Sequence, residues 1–516
     1  MEGGRNRFRE ALGTEFVVTW ELVPGRGAFG KAQEDIFQAA ERLAGDGRVH
    51  ALTITDNPGG DPAMAADYLG MELTRQGIEV IIHFTCKDKN RSQIESQLYA
   101  LHRAGVHNLL VMSGDYPANG CLGRPKPVFD FDPIHVLRMI GEMNAGFEVP
   151  AFGPPEVLAP TNFYAGAAVS PFKKEEGEQL GQYYKLRKKV AAGAQFIITQ
   201  LGYDARKFHE VLQFVRNAGW NIPLIGNIYV LTYGIARLMY QNQLPGCVVT
   251  EKLMEELVLE RQGADKGKGA RLLRAAKLYA LMKGMGYAGV HIGGHGLNYE
   301  DVICILEKGE ELVPNWPELV GEFNYPQEDG FYYFQRDEAT GLNTPEPTNR
   351  NGALPAKGLD NRFFRLLHHT LFDERGIFYH PMRLFSKVID GTRLEGPVTW
   401  LEHLIKLISN NCQQCGDCAL FDLAYLCPMS QCPKNQRNGP CGGSFEGWCE
   451  VYPNKRRCLY VRAYERLKAY GEEDNLGRYE IPPCNWSLRH TSSWFNFYLG
   501  RDHGSGVLDL TDEGRR

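Results

Sequence analysis

Apolar and polar positions alternate in a regular order between residues 15 and 315. Short apolar runs, rich in β-branched residues, are followed by longer stretches with helical spacing, such as KAQEDIFQAAERLA and RSQIESQLYALHRAG. Nearly apolar strands that alternate with helices indicate parallel pairing through right-handed crossovers. The pattern predicts an α/β fold, a (β/α)8 TIM barrel, with a doubly wound open sheet as the alternative. The eight predicted strands are EFVVTWEL (15–22), HALTITD (50–56), EVIIHFTC (79–86), NLLVMSGD (108–115), AGAAVS (165–170), QFIITQL (195–201), IPLIGNIYV (222–230) and AGVHIGG (288–294).

The pattern changes after the predicted barrel. Pro, Gly and Asn interrupt residues 316–400, which we predict to be an extended connector with one short helix, DNRFFRLLHHTLF. Residues 401–490 form a small cysteine-rich domain that opens with a helix, WLEHLIKLISNN. The predicted domains are therefore a barrel at 1–315, the connector, the cysteine-rich domain, and a C-terminal tail at 491–516 that frays.

Nine of the 13 cysteines lie between Cys412 and Cys484. Three of them are spaced by two residues, an arrangement that can wrap one face of a cubane cluster, and a more distant Cys before Pro commonly supplies the fourth ligand. We predict two [4Fe-4S] clusters with four thiolates each, which leaves Cys484 over; a structural zinc site is the alternative. The eight predicted ligands are Cys412, Cys415, Cys418, Cys427, Cys432, Cys441, Cys449 and Cys458.

Composition narrows the class of protein. An apolar fraction of 43%, a charged fraction of 23% and a net charge of −5 are typical of a soluble globular chain and argue against nucleic acid or an anionic membrane as partner. No apolar run is long enough to span a bilayer, and the N-terminus has no signal-like core. We therefore expect a cytoplasmic location, where clustered thiols bind metal more often than they form disulfides.

In a TIM barrel the active site lies at the carboxyl ends of the strands. The predicted strands end in polar residues, of which two carboxylates, Glu21 and Asp115, could divide proton donation and charge stabilisation between them. The alternative is that these residues only cap the loops after the strands. The set is Glu21, Thr55, Asp56, Asn57, His83, Thr85, Ser113, Asp115, Thr199, Gln200 followed by Asp204, His291 and His295.

Several of these positions carry a resemblance. WELVPG with Glu21, HFTC at 83–86, SGDYP at 113–117 and LRKKVAAGAQFIITQLGYD at 186–204 resemble the methylenetetrahydrofolate reductases over residues 15–310. The CPK and NGPCGG motifs at 432–443 resemble the cysteine-rich C-terminal module found beside this reductase in anaerobic bacteria. There the module is commonly a separate subunit, whereas here both parts share one chain.

The resemblance implies a flavin at the mouth of the barrel, FAD or alternatively FMN. Glu21 would be the general acid that opens the imidazolidine ring of the folate. Asp115 would stabilise positive charge, and Gln200 would bind the pterin. The implied flavin contacts are Thr55, His83, Ser113, Asp115, Lys188 and Lys189.

The sequence departs from the family at five positions. Ser113 replaces an Arg of the flavin motif, Leu231 a Phe that stacks on nicotinamide, and Tyr299 an Arg that reaches the folate tail. Matches to the adenine-side contacts are poor around Val169 and Lys173, which is why FMN stays open.

The implied function is reduction of 5,10-methylenetetrahydrofolate, or a related one-carbon carrier, to the 5-methyl form. Electrons would come from ferredoxin or a partner Fe–S/flavin protein through the C-terminal clusters. The alternatives are an NAD(P)H-dependent reductase with a structural zinc module, a non-catalytic electron-transfer subunit, and a corrinoid methyltransferase. The sequence leaves a homo-oligomer open.

Overall fold

Eight parallel strands close into a barrel in the computed structural model, which describes residues 6–43, 45–350 and 358–511. Each strand pairs with the next along the chain, and the last closes on the first, with Val17 opposite Gly289 and Trp20 opposite Ile292. The predicted (β/α)8 barrel is confirmed. The strands are β1 (Val17–Leu22), β2 (Ala51–Ile54), β3 (Val80–Thr85), β4 (Asn108–Met112), β5 (Tyr164–Val169), β6 (Phe196–Thr199), β7 (Leu224–Tyr229) and β8 (Gly289–Gly293).

Helices surround the barrel, and several begin at a residue whose side chain accepts a backbone N–H of the first turn. Asn90, Asp204 and Asn298 cap their helices in this way, as their short polar side chains favour. The barrel helices are α1 (Arg7–Leu12), α2 (Lys31–Leu43), α3 (Ala66–Arg75), α4 (Arg91–Arg103), α5 (Pro133–Ala145), α6 (Glu176–Ala191), α7 (Ala205–Asn217), α8 (Tyr233–Tyr240), α9 (Glu251–Glu260), α10 (Lys268–Met285) and α11 (Tyr299–Leu312).

The amino-terminal end of the barrel is plugged by α1. Phe8 is fully buried there and packs edge-on against Phe196, with ring centroids 5.3 Å apart, and against Tyr164. Aromatic burial of this kind contributes about 2–3 kcal/mol for a large side chain. The plug leaves the carboxyl end as the open mouth.

The C-terminal third of the chain is mostly helical. Its helices are α12 (Trp316–Leu319), α13 (Leu359–Leu367), α14 (Tyr379–Ile389), α15 (Glu395–Asn410), α16 (Pro428–Gln431), α17 (Leu459–Lys468), α18 (Asn475–Arg478) and α19 (Ser493–Tyr498). Two short strands, Phe334–Arg336 and Asn343–Pro347, form an antiparallel pair before α13. No helix of the described residues is long and apolar enough to cross a membrane.

The cysteine-rich domain packs directly on α6. Gly177 and Gly181, one turn apart, let it approach closely: a Cβ at Gly177 would lie 2.9 Å from the Tyr464 ring, and one at Gly181 would lie 3.1 Å from Pro440. A second tie runs from α5, where Arg138 forms an ion pair with Glu480 at 2.9 Å. The domain is thereby held against one side of the barrel and reaches over its mouth.

Two stretches differ from the prediction. The helix predicted at DNRFFRLLHHTLF is present as α13 and a π-helical turn (His368–Phe372), but residues 379–400 are not extended and form α14 and the start of α15. The residues after 490 do not fray up to Thr511, because α19 buries Phe495 and Tyr498 in the domain. Residues 1–5, 351–357 and 512–516 of the predicted barrel domain, connector and tail lie outside the described residues.

Candidate active site

A cleft with a cavity volume of about 380 Å³ lies at the carboxyl ends of the barrel strands. Ligand sites usually measure about 300–1,000 Å³, so the cleft has the size of an ordinary ligand site. Barrel residues line most of it, but Lys434, Cys441 and Glu450 of the cysteine-rich domain line it too. The site is thus built by both domains.

Glu21 lies at the end of β1 beside two histidines. His291 Nε2 is 3.4 Å from Glu21 Oε2, and His291 Nδ1 is 2.9 Å from Thr19 Oγ1. Burial by itself raises the pKa of Glu21, but the hydrogen bond and charge of His291, with a smaller contribution from His83, outweigh it and lower that pKa. Burial also lowers the pKa of His83 to about 4, so this imidazole is neutral near pH 7. The arrangement therefore favours the ionised carboxylate form of Glu21.

Several buried polar atoms that line the cleft have no hydrogen-bond partner in the described structure. Leaving such an atom unpaired costs about 1–3 kcal/mol, which makes it a candidate contact for a bound molecule. The atoms are Thr55 Oγ1, His83 Nε2, Ser170 Oγ, Gln182 Nε2 and Asn227 Oδ1.

Most residues predicted for the site line this cleft. Asp115 Oδ2 accepts the backbone N–H of Gly59 at 2.7 Å, and Ser113 Oγ donates to Gln436 Oε1 of the cysteine-rich domain at 3.0 Å. The other predicted residues that line the cleft are Glu21, Thr55, Asp56, His83, Thr85, Lys189, Thr199, Gln200 and His291.

Lys188 does not line the cleft, and neither do Asn57 and His295. Lys188 and Lys189 are both buried in α6, so neither belongs to a solvated basic helix face. Burial, the main cause, lowers the pKa of Lys188 to about 8 and that of Lys189 to about 7. Lys189 donates a hydrogen bond to the Ala168 carbonyl and lines the cleft.

The structure shows where three of the positions at which the sequence departs from the family lie. Leu231 is buried and does not line the cleft, and the Tyr299 hydroxyl bonds Asp46 outside it. Lys173 is buried and donates to the carbonyl oxygens of Gly442 and Ser444 at 2.5 and 2.6 Å. The C-terminal loop therefore occupies the ammonium group of Lys173.

Four predicted cysteine ligands line one cavity of about 560 Å³, open space included, in the cysteine-rich domain. They are Cys412, Cys415, Cys418 and Cys427. Lys406 Nζ lies 3.7 Å from Cys418 Sγ and bonds Glu402 at 2.7 Å, so one ammonium group faces the thiols.

The other four predicted ligands lie nearer the barrel. Cys441 lines the active-site cleft. Burial raises the pKa of the Cys432 thiol to about 12 and also raises that of Cys458, and the charge of the nearby Cys441 adds to both shifts. Cys449 influences Cys441 in the same way. These four thiols are therefore neighbours.

The structure also reveals residues that the sequence analysis did not assign to the site. Asn227 is a polar position on an otherwise apolar strand, a signal that the sequence does contain. Lys434 and Glu450 have no such signal, because only domain packing brings them to the cleft. Cys484, left over by the count, hydrogen-bonds Cys415, and this contact is the first cause of the raised pKa of Cys415.

The closed barrel and the polar cleft at its mouth define a (β/α)8-barrel protein with a ligand site at the carboxyl ends of the strands. Residues 7–304, more than half of the chain, match the family model described as methylenetetrahydrofolate reductase. Residues 392–487 match the model described as methylene-tetrahydrofolate reductase C terminal. The chain belongs to the methylenetetrahydrofolate reductase family.

Curated relatives share only part of their length with this chain. Methylenetetrahydrofolate reductase 2 of Schizosaccharomyces pombe is 29% identical over 280 residues, which are 52% of this chain and 42% of the relative. Methylenetetrahydrofolate reductase (NADH) 1 of Arabidopsis thaliana is 28% identical over 208 residues, 38% of this chain and 32% of the relative. The chain thus spans less than half the length of these relatives.

Solved structures give weaker likenesses. A Clostridium thermocellum protein, described as binding two copies of 5-methyl-5,6,7,8-tetrahydrofolic acid, has a TM-score of 0.42 and 13% identity and covers 60% of this chain and 98% of its own. A dihydropteroate synthase of Coxiella burnetii has a TM-score of 0.33 and 10% identity, covering 59% and 94%. Both TM-scores are below 0.5, so these likenesses give no information about the site of this chain.

Proposed function

We propose that the protein reduces the methylene group of a 5,10-methylenetetrahydrofolate-type carrier to a methyl group, with electrons delivered through its cysteine-rich domain. One observation carries the proposal: Glu21 of the barrel and Cys441 of the cysteine-rich domain line the same cleft. A proton donor and a metal-ligand candidate at one site fit a reduction that needs both a proton and electrons.

The polar lining of the cleft fits a flavin, FAD or FMN. Unpaired buried atoms at Thr55 and His83 offer hydrogen bonds to a polar ring system, and Lys189 and Asp115 supply charge beside it. With Ser113 these residues would hold the group. A bound flavin supplies hydride chemistry that no side chain can perform.

The proton chemistry belongs to Glu21. Opening the imidazolidine ring of the carrier requires protonation of a ring nitrogen, and the ring-opened iminium carbon is then electrophilic enough to accept hydride. Glu21 Oε2 lies 3.4 Å from His291 Nε2, and Thr19 holds the His291 ring through Nδ1. A carrier bound over Glu21 would add to the burial that raises its pKa and so favour the protonated form that donates. Asp115 would stabilise the positive charge of the iminium, and Gln200 would bind the pterin.

The cysteine-rich domain fits two [4Fe-4S] clusters. Four thiols around one cavity suit a cubane, whose ligands surround a volume rather than meet at a single ion. Among the described residues, only Glu21, His83 and His291 form a group with ligand atoms within 4.8 Å of one another, and the cysteines form no such group. Such clusters supply one-electron transfer; zinc is the alternative.

Direct reduction by a nicotinamide is the second candidate. Relatives whose names contain NADH or NADPH favour it. Against it, Leu231 is buried away from the cleft and offers no aromatic face there. Ferredoxin or a partner Fe–S/flavin protein is therefore the donor we propose first.

The test uses full-length protein purified without oxygen. Absorption spectra with iron, zinc and flavin analysis come first, and we expect flavin bands, a broad cluster shoulder and about eight iron atoms per chain, as two four-iron clusters require. Bleaching of the flavin is then followed with 5-methyltetrahydrofolate, reduced ferredoxin, NADH and NADPH in separate runs. Zinc without iron, or fast bleaching by NADH alone, would contradict the electron route.

A further inference from the structure

Helix α15 has its polar face inward and its apolar face toward solvent. Glu402, Lys406 and Asn410, at four-residue intervals, are buried, with Glu402 only 4% exposed. A surface helix normally has the opposite arrangement. The exposed apolar side chains of α15 include Trp400 (64%), Leu401 (49%), Ile405 (42%) and Ile408 (81%).

The two helices that precede α15 in the chain also carry exposed apolar side chains. On α14, Leu384 and Val388 lie one turn apart and are each 63% exposed. Thirteen of the 27 exposed large apolar side chains that the structure describes lie between Phe363 and Ile408, less than a tenth of the chain. We call the exposed side chains of residues 363–408 the apolar helical face. Concentration on this scale marks an interaction site rather than scattered surface residues.

The buried side of α15 lines the cavity of the first four cysteines. Thr399, Glu402, His403 and Lys406 border it together with Cys412. One helix, about 10 Å across, therefore separates the apolar helical face from this cavity. A molecule seated on the face would lie close to the proposed cluster.

The same stretch is cationic although the chain carries a net charge of −5. Asp390 in this stretch pairs with Arg501, and Asp360 just before it pairs with Arg466, whereas the exposed Glu374 has no ion pair among the described residues. Four exposed cations of the stretch, and Arg362 just before it, also have no ion pair among the described residues: Arg375, Arg383, Lys387 and Arg393. The face therefore complements a negatively charged partner.

We propose that the apolar helical face is the docking site of a small acidic redox protein that delivers single electrons to the cysteine-rich domain. This inference rests on the proposed function. The donor is oxidised by one electron at each encounter, and the proposed cluster behind α15 is reduced by one. A second copy of this chain fits less well, because a two-fold interface would set the same cations against each other.

The experiment measures binding and turnover with full-length protein and a small acidic [4Fe-4S] ferredoxin. Binding is followed by calorimetry at low and high salt, and turnover with reduced ferredoxin is compared with turnover using reduced methyl viologen. Two double variants change the face: R383E/K387E removes cations and L384S/V388S removes apolar side chains. The charge-matched control is R75E/R237E, because Arg75 and Arg237 are exposed cations on barrel helices, outside residues 363–408.

We expect both face variants to raise the Kd for ferredoxin at least tenfold and to raise its KM. Their kcat at saturating ferredoxin and their rate with methyl viologen should stay unchanged, and the control should behave as wild type. Screening should weaken wild-type binding as salt rises.

Face variants that bind ferredoxin as wild type does would overturn the proposal. The proposal would also be overturned if the face variants kept ferredoxin binding but lost a dimer in sedimentation, because the face would then bind a second copy. Loss of binding to vesicles of anionic lipid, again with ferredoxin binding intact, would assign the face to a membrane. Absence of iron, or no reduction with methyl viologen in wild type, would instead sink the proposed function.

Discussion

Lys434 Nζ donates a hydrogen bond to the Gly114 carbonyl oxygen at 2.6 Å, which joins the cysteine-rich domain to the loop after β4. The neighbouring residue, Asp115, is a proposed catalytic group, and Lys434 also forms a buried ion pair with Glu450. The same lysine thus fixes domain docking and helps to shape the cleft.

We expect Lys434→Met to lower the free energy of unfolding by about 3–5 kcal/mol, because it leaves Glu450 charged and buried without its partner. The double variant Lys434→Met/Glu450→Gln should recover much of this loss, since it removes the uncompensated charge. Urea unfolding of both variants and of wild type gives the values. Equal losses in the single and double variants would contradict the role of the ion pair.

Glu21→Gln should slow reduction of the methylene carrier by about 10²–10⁴-fold or more, because the amide keeps the shape but cannot donate the ring-opening proton. Stopped-flow traces measure this step. Reduction of the bound flavin by an artificial donor should be unaffected, and the exposed Glu41→Gln serves as the control. A variant that reduces the carrier at near wild-type speed would remove Glu21 from the mechanism.

Cysteine variants separate the ligands from the leftover thiol. Cys427 lines the cavity of the first group, whereas Cys484 does not, although it contacts Cys415. We expect Cys427→Ser to lower iron content by about half if the second cluster survives, and Cys484→Ser to keep it near wild type. Iron analysis and electron paramagnetic resonance of reduced protein decide. The reverse result would make Cys484 the fourth ligand.

His503 makes stability depend on pH. Burial opposes its charge, but hydrogen bonds to Asp417 (2.5 Å) and Asp422 (3.0 Å) dominate and raise the pKa of His503 to about 9. The folded chain therefore binds this proton more tightly than the unfolded chain, whose histidine pKa is about 6.5. The contribution is complete below about pH 6.5 and is lost as pH rises to about 9.

His503→Gln should remove this pH dependence. From the shift, wild type should lose about 3 kcal/mol of unfolding free energy between pH 6.5 and 9, and the variant should show a flatter profile. Urea unfolding across this range, with the exposed His380→Gln as control, provides the test. An unchanged profile in the His503 variant would refute the assignment.

The barrel could be predicted because its signal is local. Each of the eight apolar runs became a strand within a few residues, since a strand buried on both faces must be almost wholly apolar. The site residues at strand ends, such as Glu21, His83 and Asp115, followed from the same logic. Predicting the strands therefore also predicted most of the cleft.

Residues 379–400 show where local reading fails. Their Pro and Gly suggested an extended segment, but they form α14 and the start of α15, and Tyr379 and Ile389 of α14 are buried against the domain. The prediction of a frayed C-terminal tail was wrong for a similar reason, because His503 gains its partners Asp417 and Asp422 only in the folded structure. Short elements are decided by tertiary contacts, which propensity does not report.

The sequence by itself determined the barrel, the order of its strands and the cysteine pattern, because periodicity and spacing are properties of neighbouring residues. Only the tertiary structure decided that Cys441, Lys434 and Glu450 reach the cleft and that α15 turns its apolar side outward. These residues are hundreds of positions from Glu21, and their meeting depends on close packing at Gly177 and Gly181. Contacts between domains arise from complementary surfaces, and no local pattern encodes them.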